Sequence, residues 1–507
     1  MSPRNHILLW SAILISLDEV KELANTYNVI PVVKRLFNGI ETPIGLYQKL
    51  CGEREDTFLL ESAEQGVWGR YSFIGVASRG TLTADENQAT WNSKYSALPS
   101  EALGTDPIEA LKQLQSSWRS APVEFPLSSG LVGFVSWGAV NLIERLPAPK
   151  SADYQLPLYG FNQFSDLVVL DHSKAEILLV HVIFVDSDGS LESKYEAALA
   201  SINSMQEIIE TPSASKFTSP KWPDPEFATN TAKQDFLDKV EKAKEHVRLG
   251  DVFQVVISQR FDSKLEADAL DVYRALRATN PSPYMYLTRW SDGSGSFAIA
   301  GSSPEALVKV SGGRAVTHPI AGSRPRGESS AADMALASEL MSDNKERSEH
   351  LMLVDLARND LLKICDPASL EVTEFMEIHR FSHIMHLVST VEGQLREGVT
   401  AVDAMLATFP AGTLSGAPKP RALEIIHDLE PSYRGLFGGV VGYFDFEGNS
   451  DLAIAIRTAL IRNGVAHIQA GAGIVLDSVA ESEHAETEAK AAVVLRAVAA
   501  ANAMHND

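Results

Sequence analysis

The segment 344–357 constrains the fold of this chain more than any other, because it combines an apolar helical run with two carboxylates. Glu346 and Glu349 stand three residues apart, and the same helical face continues to Leu353. Like charges at this spacing weaken a helix, and burying either one unpaired costs far more. A bound cation resolves that conflict. Two solvated surface acids are the alternative.

A second acidic pair lies near the C-terminus. Ser478 and Glu481 match an S-x-x-E capping box, which predicts that a helix begins there. Glu483, Glu486 and Lys490 then share one face of that helix. Each pair alone favours the surface interpretation. Together they offer up to four oxygen ligands without cysteine, so a bound metal is expected to be Mg²⁺ rather than zinc.

The overall charge limits the partners of such a site. The 507 residues contain 44 Lys and Arg against 66 Asp and Glu, and the net charge of −22 argues against nucleic acid or an anionic membrane. An acidic protein that binds a small anion must therefore concentrate its cations locally or use a metal. The two cysteines, Cys51 and Cys365, have no CxxC context, which is typical of a protein from a reducing cytoplasm.

Breaker residues and hydrophobic patterning divide the chain into segments. Residues 1–16 contain an apolar run too short to span a bilayer and are interpreted as an N-terminal extension. Helices and strands over 17–210 predict an N-terminal domain, and the Pro- and Ser-rich residues 211–228 predict a linker. Residues 229–500 predict a second domain, followed by a tail over 501–507. We expect an α/β (α+β) fold with much antiparallel sheet and flanking helices.

Further motifs offer groups that bind anions. Gly471 and Gly473 are expected where a strand becomes a loop, and bare N–H groups there bind a carboxylate or simply form a tight turn. Arg457 is expected within an apolar strand, where its guanidinium needs a carboxylate from the protein or from a ligand. The Gly- and Pro-rich loops that contain Gly322 and Thr413 suit ligand contact or ordinary loop structure.

Two titratable residues are candidates for proton transfer. His386 lies in an apolar run, which suits a core histidine or a proton carrier. Glu305 follows a predicted strand and suits a general acid if a cavity raises its pKa. The sequence contains no G-x-S-x-G nucleophile motif and no phosphate-binding Gly motif, so covalent catalysis and nucleotide chemistry have little support.

Six blocks of the chain, in this order, resemble the chorismate-utilising enzyme family: GDVFQVVISQR, HPIAGSRPRG, KERSEHLMLVDLARNDL, FPAGTLSGAPKPRALEII, GNSDLAIAIRTALI and QAGAGIVLDS. Within that family they are most similar to anthranilate synthase large subunits, over about residues 17–500. The resemblance implies the family fold, a two-domain sandwich of large, mainly antiparallel sheets with helices packed outside. It also implies a cytoplasmic enzyme that adds ammonia to chorismate at ring C2, eliminates pyruvate and releases anthranilate for tryptophan synthesis.

The resemblance implies a role for each candidate residue. Mg²⁺ is assigned to Glu346, Glu349, Glu483 and Glu486, carboxylate binding to Arg457, Lys490, Gly471 and Gly473, and the pocket lining to Gly322 and Thr413. Glu305 matches the general acid that protonates the departing C4 hydroxyl, and His386 matches a position needed to complete the second step.

Two residues discriminate among members of the family. Relatives that add water carry a Lys base where this chain has Gln254, and aminodeoxychorismate synthases carry a Lys where it has Ala321. Amination at C2 by free ammonia is therefore favoured over an aminodeoxychorismate or isochorismate synthase. From a different class, a metal-dependent anion sensor on the same fold is the alternative, and the presence of Glu305 and His386 argues against it.

The resemblance also implies regulation and a partner. Feedback inhibition by tryptophan is implied by a pocket made of Glu61, Ser62, Pro283, Tyr284 and Met285. Neither cysteine has the G-x-C-x-G context of a glutaminase nucleophile, so a separate glutamine amidotransferase subunit is expected to supply ammonia. The implied assembly is a heterotetramer of two large and two small subunits.

Three positions depart from the family pattern. Phe437 stands where the family has Tyr, so a hydroxyl contact to the substrate is missing or supplied elsewhere. Ala480 replaces a Pro at the start of the acidic helix. The run 133–138 differs from the family's G-Y-x-G-Y-D, which weakens the assignment of that part of the regulatory domain.

Overall fold

The computed structural model describes residues 14–63, 69–93, 103–147, 150–186, 188–212, 219, 221–380 and 384–505. Its α-helices are α1 (Leu17–Ala24), α2 (Pro43–Leu50), α3 (Pro107–Ser116), α4 (Leu191–Glu210), α5 (Lys233–Leu249), α6 (Ala269–Thr279), α7 (Ser330–Ser342), α8 (Asn344–Leu362), α9 (Ala401–Thr408), α10 (Lys419–Leu429) and α11 (Ala480–His505). Short 3₁₀-helices span Trp137–Leu142 and Pro367–Ser369.

The strands of the first half are β1 (Val29–Phe37), β2 (Thr57–Glu61), β3 (Tyr71–Ala84), β4 (Ala89–Ser93), β5 (Gly130–Val135), β6 (Tyr159–Asp171) and β7 (Glu176–Phe184). Those of the second half are β8 (Ala228–Thr229), β9 (Gln254–Lys264), β10 (Tyr284–Asp292), β11 (Gly295–Ser303), β12 (Ala306–Ser311), β13 (Arg314–Thr317), β14 (Ile320–Pro325), β15 (Glu371–Arg380), β16 (Ile384–Gln394), β17 (Gly416–Ala417), β18 (Val440–Asp445), β19 (Ser450–Ile454), β20 (Thr458–Arg462) and β21 (Val465–Ile474).

Antiparallel pairing joins these strands into two large sheets. One runs β1–β7–β6–β3–β2–β10–β11–β20–β21–β9, with the short β8 and β17 beside β9. The other runs β6–β5–β18–β19–β12–β13–β16, with β14 and β15 both against β16. The long strand β6 belongs to both sheets, because its first half pairs with β5 and its second half with β7. The predicted fold class is confirmed.

Strands from the two sides of the predicted linker pair with each other. Strand β2 pairs with β10, which places Met285 opposite Glu61, and β5 pairs with β18. The two largest hydrophobic clusters also mix the halves: Phe58 and Val308 belong to one, Leu59 and Leu287 to the other. The two segments therefore share sheets and cores, and the domain boundaries stay a prediction. The predicted extension lies outside the described residues up to position 13, as does most of the linker's first half.

The helices cover the outside of the sheets. Helix α11 packs on β21 and contacts α5 and α6, while α8 lies against β14 and β16. Helix α5 ends at Leu249, and the next residue, Gly250, has a φ of 81°. This left-handed conformation is common where a helix ends in glycine. Within the part of the chain that the structure describes, no helix is long and apolar enough to cross a membrane.

Candidate active site

The first acidic pair lies near the N-terminus of α8, which starts where the sequence predicts a helix. The Asp343 side chain caps it by accepting hydrogen bonds from the N–H groups of Lys345 and Glu346, at 3.0 and 3.2 Å. Glu346 and Glu349 are both partly buried on one face. Burial, reinforced by the charge of Glu346, raises the pKa of Glu349. The two carboxylates therefore repel each other in a partly desolvated setting.

The second acidic pair lies in the first turns of α11. The capping-box prediction is wrong: the Ser478 hydroxyl accepts a hydrogen bond from the Val475 N–H at 3.1 Å, and the helix begins at Ala480. The loop before the helix uses this serine to close its own turn, so the S-x-x-E pattern marks the region but not its first residue. Burial raises the pKa of Glu483, and the neighbouring Glu486 adds to that effect.

The donor set of the four acids suits a hard divalent cation, although they do not form a closed cage. The charge of Glu486 also raises the pKa of Glu349, so the acids of α8 and α11 act on each other across the site. Among the described residues, the only group of three or more with potential ligand atoms all within 4.8 Å of one another is Glu374, Glu377 and His379, on β15. The four predicted acids are more widely spaced, so an ion held by them would need oxygen ligands from water or substrate.

Gln254 lies between the two acidic helices. Its Nε2 atom donates to Glu349 Oε1 at 3.5 Å, and a Cβ atom built on Gly473 would lie 2.2 Å from that same Nε2. Only glycine fits there, because a side chain would displace the amide. Strand β21 thus passes directly against a side chain of the predicted site.

Gly322 and His386 adjoin the first acidic pair. Gly322 has a φ of 62°, and a Cβ atom there would lie 3.0 Å from Glu346 Oε2 and 2.9 Å from Leu340. Its carbonyl oxygen lies 2.9 Å from His386 Nδ1. Since a carbonyl only accepts, Nδ1 carries the proton and Nε2 is the basic nitrogen. Burial lowers the pKa of His386, so the ring is neutral at pH 7.

Glu305 has the acidity expected of a proton donor. Burial raises its pKa to about 7, against the hydrogen bond from Thr413 and the charges of Lys490 and Arg457. The Thr413 hydroxyl donates to Glu305 Oε1 at 3.0 Å. Both residues line a cavity of about 60 Å³ whose wall includes Leu353 and Leu356 of α8. A carboxyl group half-protonated near neutral pH thus faces a small, mainly apolar cavity.

Arg457 departs from its predicted environment. It lies between β19 and β20 rather than within a strand, and its φ of 50° turns the chain there. The partly buried guanidinium has no hydrogen-bond or ion-pair partner among the residues that the structure describes, and burial lowers its pKa. Glu305 acts on it electrostatically without a hydrogen bond or salt bridge, and an anionic ligand would supply a direct counter-ion.

The two glycines of the predicted anion-binding loop are also placed differently. Gly471 and Gly473 lie inside β21, not after it. Gly473 of β21 lies opposite Val256 of β9, and the Val256 N–H donates to the Ser415 carbonyl at 2.9 Å, away from β21. Gly473 and Val256 therefore exchange no hydrogen bonds. The Gly473 N–H points to the edge of β21 that faces away from β9. Residues two apart share an edge, so the Gly471 N–H lies there too. Lys490 Nζ donates to the Gly471 carbonyl at 3.0 Å and pairs with Glu486 at 2.6 Å.

The structure places most of the predicted substrate, catalytic and metal residues in four contact groups, which electrostatic interactions relate to one another. Contacts link Glu305 with Thr413, Lys490 with Gly471 and Glu486, Glu349 with Gln254, Gln254 with Gly473, and Gly322 with both Glu346 and His386. Negative groups of α8 and α11 lie on one side of it, with Arg457 and the open edge of β21 nearby. Such an arrangement can hold a dianion with a divalent cation.

The segments of the predicted inhibitor pocket also adjoin each other. Glu61 is buried, and its carboxylate binds Arg277 Nε at 2.6 Å and the Tyr273 hydroxyl. The Ser62 hydroxyl is buried, and no hydrogen-bond partner for it is found among the described residues. Tyr284 points elsewhere, because its hydroxyl donates to Asp451 at 2.9 Å. Met285 and Glu61 are cross-strand partners, and Pro283 lies at the start of the same segment.

Two buried cations near the site were not singled out by the sequence. Lys419 donates to Asp360 at 2.9 Å and to the Thr408 carbonyl at 3.1 Å, and Arg434 is paired with Glu430. Both lie in Gly- and Pro-rich blocks where cations are commonly exposed. The i,i+4 spacing of Glu430 and Arg434 is the only sequence signal, and it occurs on many exposed helices.

Comparison with known proteins agrees with this geometry. The chorismate binding enzyme family model matches residues 55–496. The chain is 48% identical over 500 residues to anthranilate synthase component 1 of Arthrobacter globiformis, covering 97% of this chain and 94% of that protein. It is 46% identical over 494 residues to the same component of Mycolicibacterium smegmatis, covering 96% and 94%.

Solved structures give the same result. Anthranilate synthase component I of Streptococcus pneumoniae superposes with a TM-score of 0.74 at 35% identity, covering 91% of this chain and 99% of that one. The menaquinone-specific isochorismate synthase of Escherichia coli shares the fold, with a TM-score of 0.67 at 17% identity over 95% and 98% of the two chains. The chain therefore belongs to the chorismate binding enzyme family, and within it to the anthranilate synthase component 1 proteins.

Proposed function

We propose that the chain catalyses the Mg²⁺-dependent amination of chorismate by ammonia at ring C2, followed by elimination of pyruvate to give anthranilate. The observation that carries the proposal is the unpartnered Arg457 guanidinium beside Glu305, whose pKa is about 7. A bound carboxylate is needed to neutralise the first group, and the second is suited to give a proton to a leaving group. The anthranilate synthase component 1 relatives support the same reaction.

The two carboxylates of chorismate are assigned to different sides of the site. Arg457 would bind the enolpyruvyl carboxylate. Lys490 and the N–H groups on the open edge of β21, those of Gly471 and Gly473, would contact carboxylate oxygen as well. Charges spread over a guanidinium, an ammonium and backbone dipoles suit a flat dianion, because each oxygen then has its own donor.

Mg²⁺ is assigned to Glu346, Glu349, Glu483 and Glu486. Burial, with a smaller contribution from the neighbouring carboxylates, raises the pKa of Glu349 and Glu483, and a divalent cation among them would stabilise their charged forms. When bound, the ion would withdraw charge from the ring carboxylate and so favour nucleophilic attack on the ring. Because the acids are widely spaced, we expect weak binding of Mg²⁺ until chorismate supplies oxygen ligands of its own.

Glu305 and His386 are assigned to the proton transfers. As ammonia bonds to C2 and the ring double bonds shift, the C4–O bond breaks, and Glu305 protonates the departing hydroxyl to give water. The C2 ammonium formed by this addition releases one proton, which balances the proton taken by the hydroxyl. In the second step the ring loses its C2 proton, the bond between the ring and the enolpyruvyl oxygen breaks, and the aromatic ring forms. The departing enolpyruvate takes up one proton to become pyruvate. Neutral His386, with Nδ1–H fixed on the Gly322 carbonyl, is suited to carry that proton on Nε2.

The identity of the nucleophile follows from what the site lacks. Gln254 has no basic nitrogen and is engaged with Glu349, so it cannot deprotonate water. Ala321 is buried on β14 and offers no amine near Gly322. Neutral ammonia needs no base, so Gln254 and Ala321 favour amination by ammonia over addition of water. They also disfavour a reaction that uses a lysine amine at position 321.

The proposal includes a partner and a regulator. A separate glutamine amidotransferase subunit would deliver ammonia, in a heterotetramer of two large and two small subunits, and tryptophan would inhibit by binding near Ser62. The Ser62 hydroxyl is buried without a partner among the described residues, which supports a ligand at that position. The two buried free thiols, Cys51 and Cys365, are in keeping with a cytoplasmic location.

Anthranilate fluorescence tests the proposal directly. The purified chain, given chorismate, Mg²⁺ and ammonium at high pH, should form anthranilate and pyruvate in equal amounts, and chelation of Mg²⁺ should abolish the activity. Glutamine should not replace ammonium. Binding of chorismate without product would instead indicate an anion sensor. Release of isochorismate or of 4-amino-4-deoxychorismate, identified by mass and retention time, would indicate one of the two sister activities.

A further inference from the structure

Arg434 is the most completely enclosed cation near the site. Its side chain is 1% exposed and that of its partner Glu430 is 4% exposed. The two form a bidentate pair, with Nε donating to Glu430 Oε2 at 2.8 Å and Nη2 donating to Oε1 at 2.6 Å. Trp137 stacks on the guanidinium, 4.3 Å from the ring centroid, and Phe437 lies at 5.5 Å. Removal from water makes these hydrogen bonds strong and their loss costly.

The remaining donors of Arg434 go to two backbone carbonyls that adjoin site residues. Nη1 donates to the Leu414 carbonyl at 2.7 Å, and Nη2 donates to the Val256 carbonyl at 2.8 Å. Leu414 follows Thr413, the residue that donates to Glu305. Val256 lies two residues beyond Gln254 on β9. One planar group thus holds the Thr413 loop and β9 at a fixed separation.

Glu430 strengthens the connection to β9. Its Oε1 atom accepts hydrogen bonds from both the N–H and the hydroxyl of Ser258, at 2.8 and 2.7 Å. The Ser415 carbonyl in turn accepts from the Val256 N–H at 2.9 Å. The ion pair, β9 and the loop after Thr413 therefore form a single hydrogen-bonded unit with no exposed member.

We propose that Arg434 is a positioning residue, which holds the Thr413 hydroxyl on Glu305 and fixes the strand that carries Gln254. The inference rests on the proposed function, in which Glu305 is the general acid. Arg434 itself contacts backbone and Glu430, so it acts through Thr413 and β9. Lysine cannot replace it, because one ammonium does not reproduce the planar fork that serves a carboxylate and two carbonyls together.

A double-mutant cycle tests this coupling. Arg434→Lys and Thr413→Val should each lower kcat roughly tenfold or more, since each removes or misplaces a hydrogen bond to the general acid. In the double variant kcat should stay within about twofold of Thr413→Val, because the route from Arg434 to Glu305 has already been cut. If the two effects simply multiply, Arg434 acts through stability alone and the proposal is wrong.

The pH profile supplies a second readout, measured with the concentration of free ammonia held constant. A general acid loses activity as the pH rises through its pKa, and loss of the Thr413 hydrogen bond raises that pKa. The alkaline limb of kcat should therefore move to higher pH in Thr413→Val and Arg434→Lys alike. Lys490 and Arg457 face Glu305, and His318 and Asp360 line its cavity, but none is altered by these variants. An unmoved limb in Arg434→Lys would overturn the proposal.

Arg462→Lys is the matched control. Arg462 is also buried, with donors on the Gln155 carbonyl and Asp292 and an aromatic contact to Phe297, and it does not contact the Thr413 loop. The Arg462→Lys variant should be less stable than the wild type, with no change in kcat or in the alkaline limb of its pH profile. If that limb moved as far as in Arg434→Lys, the shift would not be specific to Arg434 and the positioning role would be refuted.

A second variant covers the case in which Arg434→Lys does not fold. Glu430→Gln keeps the shape of the pair and the guanidinium itself but removes the carboxylate charge, and it should show the same non-additivity with Thr413→Val. Multiplicative effects would refute the positioning role here too. Wild-type protein that makes no anthranilate would refute the proposed function instead, so the two failures are distinguishable.

Discussion

The catalytic cavity and the predicted inhibitor pocket differ in how far the protein satisfies their polar groups. In the candidate active site, Arg457 has no hydrogen-bond or ion-pair partner among the described residues, and burial raises the pKa values of Glu305 and Glu349. In the pocket, Glu61 is already bound by Arg277 and Tyr273. The candidate active site therefore has charged groups that a ligand could neutralise, whereas the charged group of the predicted inhibitor pocket is already neutralised by the protein.

The difference suits two kinds of ligand. A dianion with Mg²⁺ neutralises groups that the fold leaves uncompensated, so binding can offset the cost of having buried them. A zwitterionic regulator needs only a shaped gap and a few free donors or acceptors, such as the Ser62 hydroxyl. Substitutions in the cavity should therefore change catalysis strongly, while substitutions in the pocket should change only the response to the regulator.

The largest expected effect is on the chemical step. Glu305→Gln keeps the size of the side chain but cannot give up a proton, so kcat should fall roughly 10²- to 10⁴-fold with little change in the KM for chorismate. Steady-state anthranilate fluorescence measures both constants. Asp171→Asn is the control. It removes a carboxylate at the end of β6 that is buried and paired with Arg70, and it should leave kcat unchanged. Near-normal turnover by Glu305→Gln would remove the general acid from the mechanism.

The next effect concerns substrate binding. Arg457→Lys keeps the charge but loses the fork that matches a carboxylate, so the KM for chorismate should rise roughly tenfold to a hundredfold, with a smaller loss of kcat. The main expected result is in KM because Arg457 is assigned to the enolpyruvyl carboxylate, whose own bonds do not change in the amination step. An unchanged KM would mean that the guanidinium is satisfied in another way. The comparison with the inhibitor pocket would then lose its main support.

Some of this contrast could be predicted from sequence and some could not. The acidic helices, Glu305 and the strand that contains Gly471 lie in sequence blocks whose residue types indicate metal binding, proton transfer and anion binding. The structure places them near one another. Arg457 was expected inside a strand because its neighbours are apolar, yet it lies at a turn with positive φ. Hydrophobic patterning reports burial but not the backbone angle that aims a side chain.

The contacts of Arg434 could not be predicted from the sequence. Arg434 reaches Leu414, Val256 and Glu430 from segments up to 178 positions apart, and no local pattern encodes such pairing. Ser478 shows the opposite error: a local motif matched a capping box, while the hydroxyl serves the preceding loop. Local signals therefore identified what the groups can do, and tertiary packing decided which neighbours they serve.

In the inhibitor pocket the expected change is in regulation alone. Ser62→Phe should fill the space beside Glu61 and abolish inhibition by tryptophan, while turnover stays near normal because β2 lies outside the catalytic group. Ser62→Ala, which removes only the hydroxyl, should weaken inhibition by about tenfold or less. Titration of the ammonium-dependent rate with tryptophan measures both. Inhibition of Ser62→Phe equal to that of the wild type would refute the pocket.

The last effect is on stability rather than on activity, and it has a definite pH dependence. The pKa of Glu305 rises from its ordinary 4.5 to about 7 in the folded protein, so between these pH values the folded state binds more protons than the unfolded state. Stability is therefore lost as the pH rises through that window, by about 3 kcal/mol at most above pH 7. Glu305→Gln should remove this loss and be more stable than the wild type at pH 8, but not at pH 4. Urea unfolding at both pH values measures the difference, with the exposed Glu397→Gln as the control. Equal stabilities at pH 8 would mean that Glu305 is not desolvated, and the contrast between an uncompensated cavity and a satisfied pocket would then rest on Arg457 alone.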